Sequence, residues 1–364
     1  MPERKKAIIL LMVSIFLILV VLEAAVRSID MVRGKGFFSD YRNPVTKPIF
    51  PFRIFGFELY QEVNEELMIS SRHKELSPVK KGKDTLRIVV FGGSTTENLR
   101  TMSNFGKHYP LVLQEQLSNL TDKKVEVINI GNSAYATPHS LILLALNVLS
   151  WDPDIVILSH NHNDLTAAYF PNFRTDYSNK YRHPFYMPDV HDGYSIISIL
   201  FQHSSLYWLI KSRLDKLFLK FDDRYEIHRE SYDMIPPEGV VHSFKRNIVS
   251  FVTLATSRDI EVILGTQPLL KDEEYFEHHM SYKPYNDVVK YPLVKEYIAH
   301  HQAMNQIIRD VSADLNVWLV DNDKLFNNQK ELFYDHIHYT IDGVNLMARN
   351  YSDYILGNMS SYLR

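Results

Sequence analysis

The sequence contains no cysteine among its 364 residues. This absence excludes disulfide scaffolds, thiolate zinc sites, iron–sulfur clusters and cysteine nucleophiles. Covalent chemistry must therefore use serine, threonine, lysine or a carboxylate. Because secreted eukaryotic domains of this size usually carry disulfides, a bacterial periplasmic or cell-surface setting fits the composition better.

The sequence also lacks an excess of charge of either sign. Forty Lys and Arg residues stand against 43 Asp and Glu residues, so the formal net charge is -3. Nucleic-acid-binding domains usually carry a basic excess, and DNA or RNA is therefore not expected as a partner. A hydrophobic content of 45% and a charged content of 23% are typical of a folded globular protein and exclude extensive disorder.

One long run near the start carries no charged residue. It follows Arg4-Lys5-Lys6, extends from Ala7 to Leu22 and, with Glu23 as its one interruption, reaches Val26. Its 20 residues would span about 30 Å as a helix, the thickness of a bilayer core. Residues 1–27 are predicted to form a cytosolic tip and a single-pass membrane anchor, with the rest of the chain outside the cytosol. A cleaved signal peptide and a buried core helix are the alternatives.

Five short apolar runs alternate with segments of helical periodicity after residue 85. The runs are Leu86–Phe91, Val125–Ile130, Ile155–Ser159, Ile260–Leu264 and Val317–Val320. Continuous apolar strands between helices predict a buried parallel sheet. The predicted fold class is α/β, a three-layer sandwich of about five mostly parallel strands over residues 86–364. Residues 28–85 are predicted to form a stalk or N-terminal extension.

Residues 165–245 interrupt this alternation and are rich in aromatic side chains. They contain 16 Phe, Tyr and Trp residues in 81, about 20% against 12% for the whole chain. Insertions of this length are usually functional or form a small subdomain. The part from 196 to 221 is predicted to be a helical insertion with its own apolar core. The part from 169 to 194 is predicted to form a lid or a sugar-stacking rim, with Tyr169, Phe170 and Tyr186 as candidate contacts.

Polar residues with chemical potential follow several of the predicted strands. Ligands of open α/β sheets bind at the carboxyl ends of the strands, so these residues are expected on one rim. Ser94, after Gly92-Gly93, could be a nucleophile, a helix N-cap or part of a phosphate-binding loop. A later Asp and a His could orient and act as a base, while a Gly N–H and an Asn amide could stabilise an oxyanion. The segments concerned are Gly92–Ser94, Gly131–Ser133, His160–Asp164 and Asp335–His338.

The order of these segments resembles the SGNH (GDSL-like) hydrolase family over about residues 86 to 357. That family has a Ser after one strand, a Gly after the next, a GxND block after the third and a DxxH block before the last helix. The resemblance implies a flavodoxin-like α/β fold and a catalytic site without a cofactor or metal. Ser94 would be the nucleophile, His338 the general base and Asp335 the residue that orients it. The oxyanion hole would consist of the backbone N–H groups of Ser94 and Gly131 and the side-chain amide of Asn163.

This sequence departs from the family pattern at three positions. Gly93 stands where the family often has Asp, Thr95 replaces the Leu of the GDSL form, and Asn161 stands at the Gly of GxND. Asn tolerates left-handed backbone better than most residues, so the turn can be kept. Because of these departures, the sequence does not identify the subfamily or the substrate. All the residues that the resemblance implies for catalysis are nevertheless present.

A metal site is the rival interpretation of the histidine-rich segments. His160-x-His162-x-Asp164 matches the start of the HxHxDH pattern of the metallo-β-lactamase superfamily, and His336-x-His338 adds two imidazoles. Leu165 stands where that pattern requires another His. A metal site also leaves Ser94 and the DxxH spacing unexplained. We therefore expect His160, His162 and His336 to line or support the rim.

The sequence thus predicts a membrane-anchored, extracytoplasmic serine esterase. It would remove small acyl groups such as acetyl from envelope or exopolysaccharide sugars through an acyl-enzyme. The alternatives are a polysaccharide O-acyltransferase with the same triad and a non-catalytic carbohydrate-binding member of the fold. The expected partners are an acylated carbohydrate or another small ester and the membrane, through Ala7 to Val26; the sequence does not reveal whether there are protein partners.

Overall fold

The computed structural model describes residues 3–32, 80–181, 204–207, 209–210, 213, 229–274 and 289–363. The chain divides into two compact units, one of residues 1–44 and 188–224 and the other of residues 45–187 and 225–364. The aromatic-rich segment predicted over 165–245 is therefore divided between the units. Most of the predicted stalk, residues 33–79, lies outside the described residues.

The described residues of the first unit include a long helix, α1, from Glu3 to Val32. Its apolar side chains are exposed, and the helix is long and apolar enough to cross a membrane. Glu23 lies just beyond the uncharged run and pairs with Arg27 at 2.7 Å. The Glu23 carboxylate also accepts hydrogen bonds from the Ser204 hydroxyl and from two backbone N–H groups, those of Ser205 and Leu206, all at 2.8 Å.

The second unit is built on a five-stranded parallel sheet. The strands are β1 (Thr85–Gly92), β2 (Lys124–Asn129), β3 (Ile155–Ser159), β4 (Glu261–Gly265) and β5 (Trp318–Val320), in the spatial order β2-β1-β3-β4-β5. This is the flavodoxin-like order: β2 is added on one side of β1 and the later strands on the other, so the topological switch point lies between β1 and β3. The predicted α/β fold is confirmed, and each strand end lies within one residue of the predicted run.

Helices cover both faces of this sheet, which is why every residue of β1 and β3 is buried. The longer helices are α4 (Tyr109–Ser118), α5 (Thr137–Leu146), α8 (Glu238–Thr256), α9 (Val294–Asp314) and α11 (Ile341–Asn358). The short helices are α2 (Ser94–Glu97), α3 (Leu99–Phe105), α6 (His162–Ala167), α7 (Ser178–Tyr181) and α10 (Asn322–Phe326). Two hydrophobic clusters fill the spaces between the layers.

Alternate residues of β1 belong to the two clusters. Ile88 and Val90 pack with side chains of α4 and α11, whereas Val89 and Phe91 pack with side chains of α5, α8 and α9. The Phe91 ring meets the Phe251 ring edge-on at 4.9 Å between centroids. This packing fixes the carboxyl end of β1, where the candidate nucleophile begins the next helix.

Candidate active site

Ser94 is the first residue of α2, directly after β1 and Gly93. At the two glycines of this turn, Gly92 and Gly93, there is no room for a side chain. A Cβ at Gly92 would lie 2.0 Å from the Thr96 Oγ1, and a Cβ at Gly93 would lie 2.6 Å from the Asn163 Nδ2. The two glycines therefore let the Ser94 loop approach α2 and the Asn163 amide closely.

The structure brings together Ser94, His338 and Asp335, although Ser94 is 244 residues from His338. The Ser94 Oγ lies 2.8 Å from the His338 Nε2, and the His338 Nδ1 lies 2.7 Å from the Asp335 Oδ2. With the proton on Nδ1, the imidazole donates to the carboxylate and its Nε2 can accept the serine proton. The three side chains have the geometry of a nucleophile, a base and an orienting acid.

Asp335 is held in place by its own loop. Its Oδ1 accepts the backbone N–H groups of Ile337 and His338, both at 2.8 Å, which leaves Oδ2 for the imidazole. Burial raises the pKa of Asp335, but the attraction and hydrogen bonds of His338 outweigh burial and hold the pKa well below its usual range. The group is therefore a carboxylate at any pH near neutrality.

Asn163 lies in the first turn of α6 and places its amide beside the Ser94 loop. Its Nδ2 donates to the Tyr135 carbonyl at 2.9 Å. An amide nitrogen carries two hydrogens, and this contact uses one of them. The location of Asn163 agrees with the oxyanion role that the family resemblance implies.

Gly131 does not offer its N–H to a ligand, which corrects the sequence prediction. That N–H donates to the Asn129 Oδ1 at 2.9 Å, so it is used inside the protein. A Cβ at Gly131 would meet Thr96 at 2.7 Å, so the glycine serves close packing against α2.

The neighbouring turn contains a donor that sequence reasoning missed. Ala134 has a φ of +63°, and its N–H has no acceptor among the described residues. Its carbonyl accepts the Tyr181 hydroxyl at 2.6 Å, and the next carbonyl, that of Tyr135, accepts the Asn163 amide. The Ala134 N–H is thus the free backbone donor of this turn. An alanine carries no sequence signal for left-handed backbone, which is why the position was overlooked.

Two buried acids lie close by. Sequence reasoning missed Glu97 and considered Asp164 only within the motifs of the third strand end. Glu97, at the end of α2, is 5% exposed and accepts the hydroxyl of Ser133. Burial raises the pKa of Glu97 to about 7, although two hydrogen bonds from Ser133 lower it in part. Asp164 is fully buried and accepts the N–H and the hydroxyl of Thr137. Burial raises the pKa of Asp164 to about 7 despite these bonds.

A buried lysine supports the backbone of Asn163. The ammonium group of Lys180, on α7, donates at 2.7 Å to the Asn163 carbonyl and to the Thr166 hydroxyl. The side chain is fully buried. Lys180 belongs to the aromatic-rich segment, so this part of the segment supports the site from inside.

The three histidines of the rival metal interpretation are buried, and the rings of His162 and His336 are neighbours. The His160 Nε2 lies 2.7 Å from the Ser140 hydroxyl, and the His162 Nδ1 lies 2.5 Å from the Tyr297 hydroxyl. The His336 ring lies 5.5 Å from the His162 ring and is buried. Within the described part of the chain, no group of three or more His, Asp or Glu side chains is arranged to hold a metal ion. His160 and His336 pack inside the protein and do not line an exposed rim.

Tyr169 and Phe170 are both only 2% exposed, which corrects the prediction of a sugar-stacking rim. The Tyr169 hydroxyl lies 2.8 Å from the His300 Nδ1, and both aromatic rings belong to the core on the α8 and α9 side. Because a ring must expose a face to stack on a ligand, neither residue forms such a rim. Tyr186 lies outside the described residues.

No protein-family model matches the sequence, and a search of curated proteins found no significant match. Solved structures similar to this chain include the acetyl xylan esterase AlAXEase, at 16% identity and a TM-score of 0.42 over 74% of this chain and 98% of that one. The lipase/acylhydrolase from Enterococcus faecalis has 15% identity and a TM-score of 0.43 over 75% and 96%. An acetylxylan esterase from Geobacillus stearothermophilus has 13% and 0.42 over 74% and 94%. Similarity at this level assigns no activity to the chain.

Proposed function

We propose that this protein is a serine esterase of the SGNH (GDSL-like) family. The observation that carries the proposal is the continuous chain of hydrogen bonds from the Ser94 Oγ through His338 to Asp335, at 2.8 and 2.7 Å. Three residues from two distant parts of the sequence meet in the order that nucleophilic acyl transfer requires. The alternative of a non-catalytic binding protein leaves this arrangement without a purpose.

The reaction begins when the Ser94 Oγ attacks the ester carbonyl and its proton moves to the His338 Nε2. The C–O bond to the alcohol then breaks, and the departing alkoxide takes that proton, which leaves an acyl group on Ser94. In the second half a water molecule gives one proton to His338 and attacks the acyl carbon. The Ser94 oxygen leaves, recovers the proton, and the carboxylic acid departs.

Negative charge develops on the carbonyl oxygen in both halves and needs hydrogen-bond donors. Ser94, as the first residue of α2, has an N–H without a partner inside the helix. The second hydrogen of the Asn163 amide and the Ala134 N–H complete the proposed oxyanion hole. Ala134 takes the place that the sequence prediction assigned to Gly131.

A fluorophosphonate probe tests the nucleophile directly, because it reacts with an activated serine. The full-length chain in detergent micelles should be labelled and should hydrolyse p-nitrophenyl acetate, and Ser94→Ala should lose both. Ser150→Ala is the matched control, since Ser150 is exposed and bonds only to the Asn147 carbonyl. Labelling that persists in Ser94→Ala, or p-nitrophenyl acetate hydrolysis unaffected by that change, contradicts the proposal.

The proposed substrates are small acyl esters, acetyl above all, on sugars of the cell envelope or an exopolysaccharide. Support comes from the predicted position outside the cytosol. Two of the three predicted stacking residues are buried, so the location carries this proposal. Assays with and without an oligosaccharide acceptor distinguish hydrolysis of the acyl-enzyme by water from transfer of the acyl group to a sugar. Turnover only with the acceptor would identify an O-acyltransferase instead.

The proposal for the N-terminal helix is an uncleaved anchor that holds the second unit outside the cytosol. The contacts of Glu23 with residues 204–206 support it, because a signal peptide that is removed would not be recognised by a later part of the chain. In cells, a C-terminally tagged chain should stay in the membrane fraction at the full 42.6 kDa plus the mass of the tag. A soluble product shortened by about 25 residues would show a cleaved signal peptide instead.

A further inference from the structure

Residues 132–135 form a tight turn against the loop that carries Ser94. The Asn132 N–H donates to the Gly92 carbonyl at 3.2 Å, and the Tyr135 N–H donates to the Asn132 carbonyl at 3.0 Å. The third residue of the turn, Ala134, has a φ of +63°. A residue with a Cβ is disfavoured in this left-handed region, so the surrounding structure must hold Ala134 there.

The peptide unit between Ser133 and Ala134 contains the free N–H of this turn. On one side of it, the Ser133 hydroxyl and backbone N–H both donate to the Glu97 carboxylate. On the other side, the Ala134 carbonyl accepts the Tyr181 hydroxyl at 2.6 Å. Both neighbouring peptide units are therefore fixed, and the orientation of the Ala134 N–H follows from them.

Glu97 joins this turn to the nucleophile through a single short helix. Ser94 begins α2 and Glu97 ends it, so the same helix presents the nucleophile and grips the turn. The Glu97 side chain is buried, and a buried carboxyl group is costly unless hydrogen bonds compensate for lost water. Two of those bonds come from Ser133. The chain thus buries an acid where an apolar side chain would be less costly.

We propose that Glu97 is a positioning residue whose buried carboxyl group holds Ser133, so that the strained Ala134 directs its N–H to the carbonyl oxygen of an ester bound at Ser94. This inference rests on the proposed esterase function. Glu97 touches no substrate atom itself. It acts through Ser133 on an oxyanion donor, which is engaged only when charge develops in the transition state.

Hydrogen exchange tests the positioning without any assay of activity. In the full-length chain in detergent, the hydrogen-bonded amides of Asn132, Ser133 and Tyr135 should exchange at least tenfold faster in Glu97→Ala than in wild type. Glu115→Gln is the matched control, because Glu115 is an exposed acid on α4 that pairs with Lys107. Its amides at 131–135 should exchange as in wild type. Unchanged exchange in Glu97→Ala overturns the proposal.

Kinetics test what the positioning does. Removing one oxyanion donor typically lowers kcat by 10²- to 10³-fold, so loosening one should lower it by about 10- to 100-fold. Glu97→Ala and Ser133→Ala should both show this loss on p-nitrophenyl acetate, with KM within about twofold of wild type. A raised KM with unchanged kcat would overturn the proposal, because it would place Glu97 in ground-state binding.

A second substitution separates positioning from general support of the fold. Glycine adopts left-handed backbone without strain, so Ala134→Gly reduces the need for a residue that enforces it. The double variant Glu97→Ala with Ala134→Gly should therefore recover at least fivefold in kcat over Glu97→Ala alone. Failure of this rescue overturns the proposal. If the wild-type protein shows no turnover that depends on Ser94, the proposed esterase function is wrong. Hydrogen exchange still decides in that case whether Glu97 holds the turn.

Discussion

Replacing Asp335 by Asn changes one atom of the triad and should nearly abolish turnover. The Asp335 Oδ1 accepts two backbone N–H groups, from Ile337 and His338, and Oδ2 accepts the proton on the His338 Nδ1. An asparagine will keep its side-chain oxygen on the two backbone N–H donors. In the opposite orientation its NH₂ group, which is also a donor, would face those two N–H groups. Its NH₂ group then faces the His338 Nδ1, which must become an acceptor. The remaining ring proton moves to Nε2, toward the Ser94 Oγ, where a base needs a free lone pair.

The size of the effect follows from this tautomer. His338 with a proton on Nε2 cannot accept the Ser94 proton, and the correct tautomer requires a broken hydrogen bond to the loop. In serine proteases the same change lowers kcat by about 10⁴-fold with the geometry intact. We expect a loss of about 10³- to 10⁴-fold here, which corresponds to roughly 4 to 5.5 kcal/mol of transition-state stabilisation.

The assay compares kcat for p-nitrophenyl acetate in wild type, Asp335→Asn and the matched control Asp353→Asn. Asp353 is an exposed acid on α11, so its substitution should leave kcat within about twofold of wild type. The KM of Asp335→Asn should change little, because the imidazole does not bind the ground-state ester. A loss below tenfold in Asp335→Asn would refute the tautomer argument and the orienting role of Asp335.

Three further predictions concern the surroundings of the site. Gly93→Ala should lower kcat by about tenfold or more, because its Cβ would lie 2.6 Å from the Asn163 Nδ2; Gly357→Ala, which meets open space, is the control. Lys180→Met should lower the free energy of unfolding in urea by about 3 kcal/mol, since it removes the two hydrogen bonds of a buried ammonium group, to the Asn163 carbonyl and to the Thr166 hydroxyl; a loss under about 1 kcal/mol would contradict this. Because the pKa of Glu97 is raised, the native state holds more protons than the unfolded chain between about pH 4.5 and 7. The free energy of unfolding therefore falls by about 3 kcal/mol as the pH rises through that window. Glu97→Gln should remove this part of the fall in Tm between pH 5 and 8, and an equal fall in both proteins would contradict the burial of a titrating acid.

The catalytic candidates illustrate how far a sequence can be interpreted without a structure. Ser94, Asp335 and His338 could be selected because each stands at the end of a predicted strand or before the last helix, and parallel strands end on one edge of a sheet. Gly131 was wrong for a physical reason. A glycine indicates conformational freedom or close packing, whereas the availability of its N–H depends on the Asn129 side chain.

Burial was the second property that the sequence could not supply. The aromatic content of residues 165–245 predicted exposed stacking surfaces, yet Tyr169 and Phe170 are core residues. Composition does not distinguish a ring that faces a ligand from one that faces a neighbouring helix. The same limit applies to Lys180, a residue type that is almost never fully buried without a partner.

The sequence by itself determined the α/β class, the approximate bounds of all five strands, the long apolar helix and the three residues of the candidate triad. These follow from local patterns: runs of apolar residues, helical periodicity, and polar residues placed at strand ends. The tertiary structure alone decided which backbone N–H has no acceptor among the described residues in the turn of residues 132–135, and it alone placed buried Glu97 against Ser133, 36 residues away in the chain. Such contacts depend on which side chains the packing brings together across the sheet, and hydrogen bonds between distant segments leave no periodic mark in a sequence.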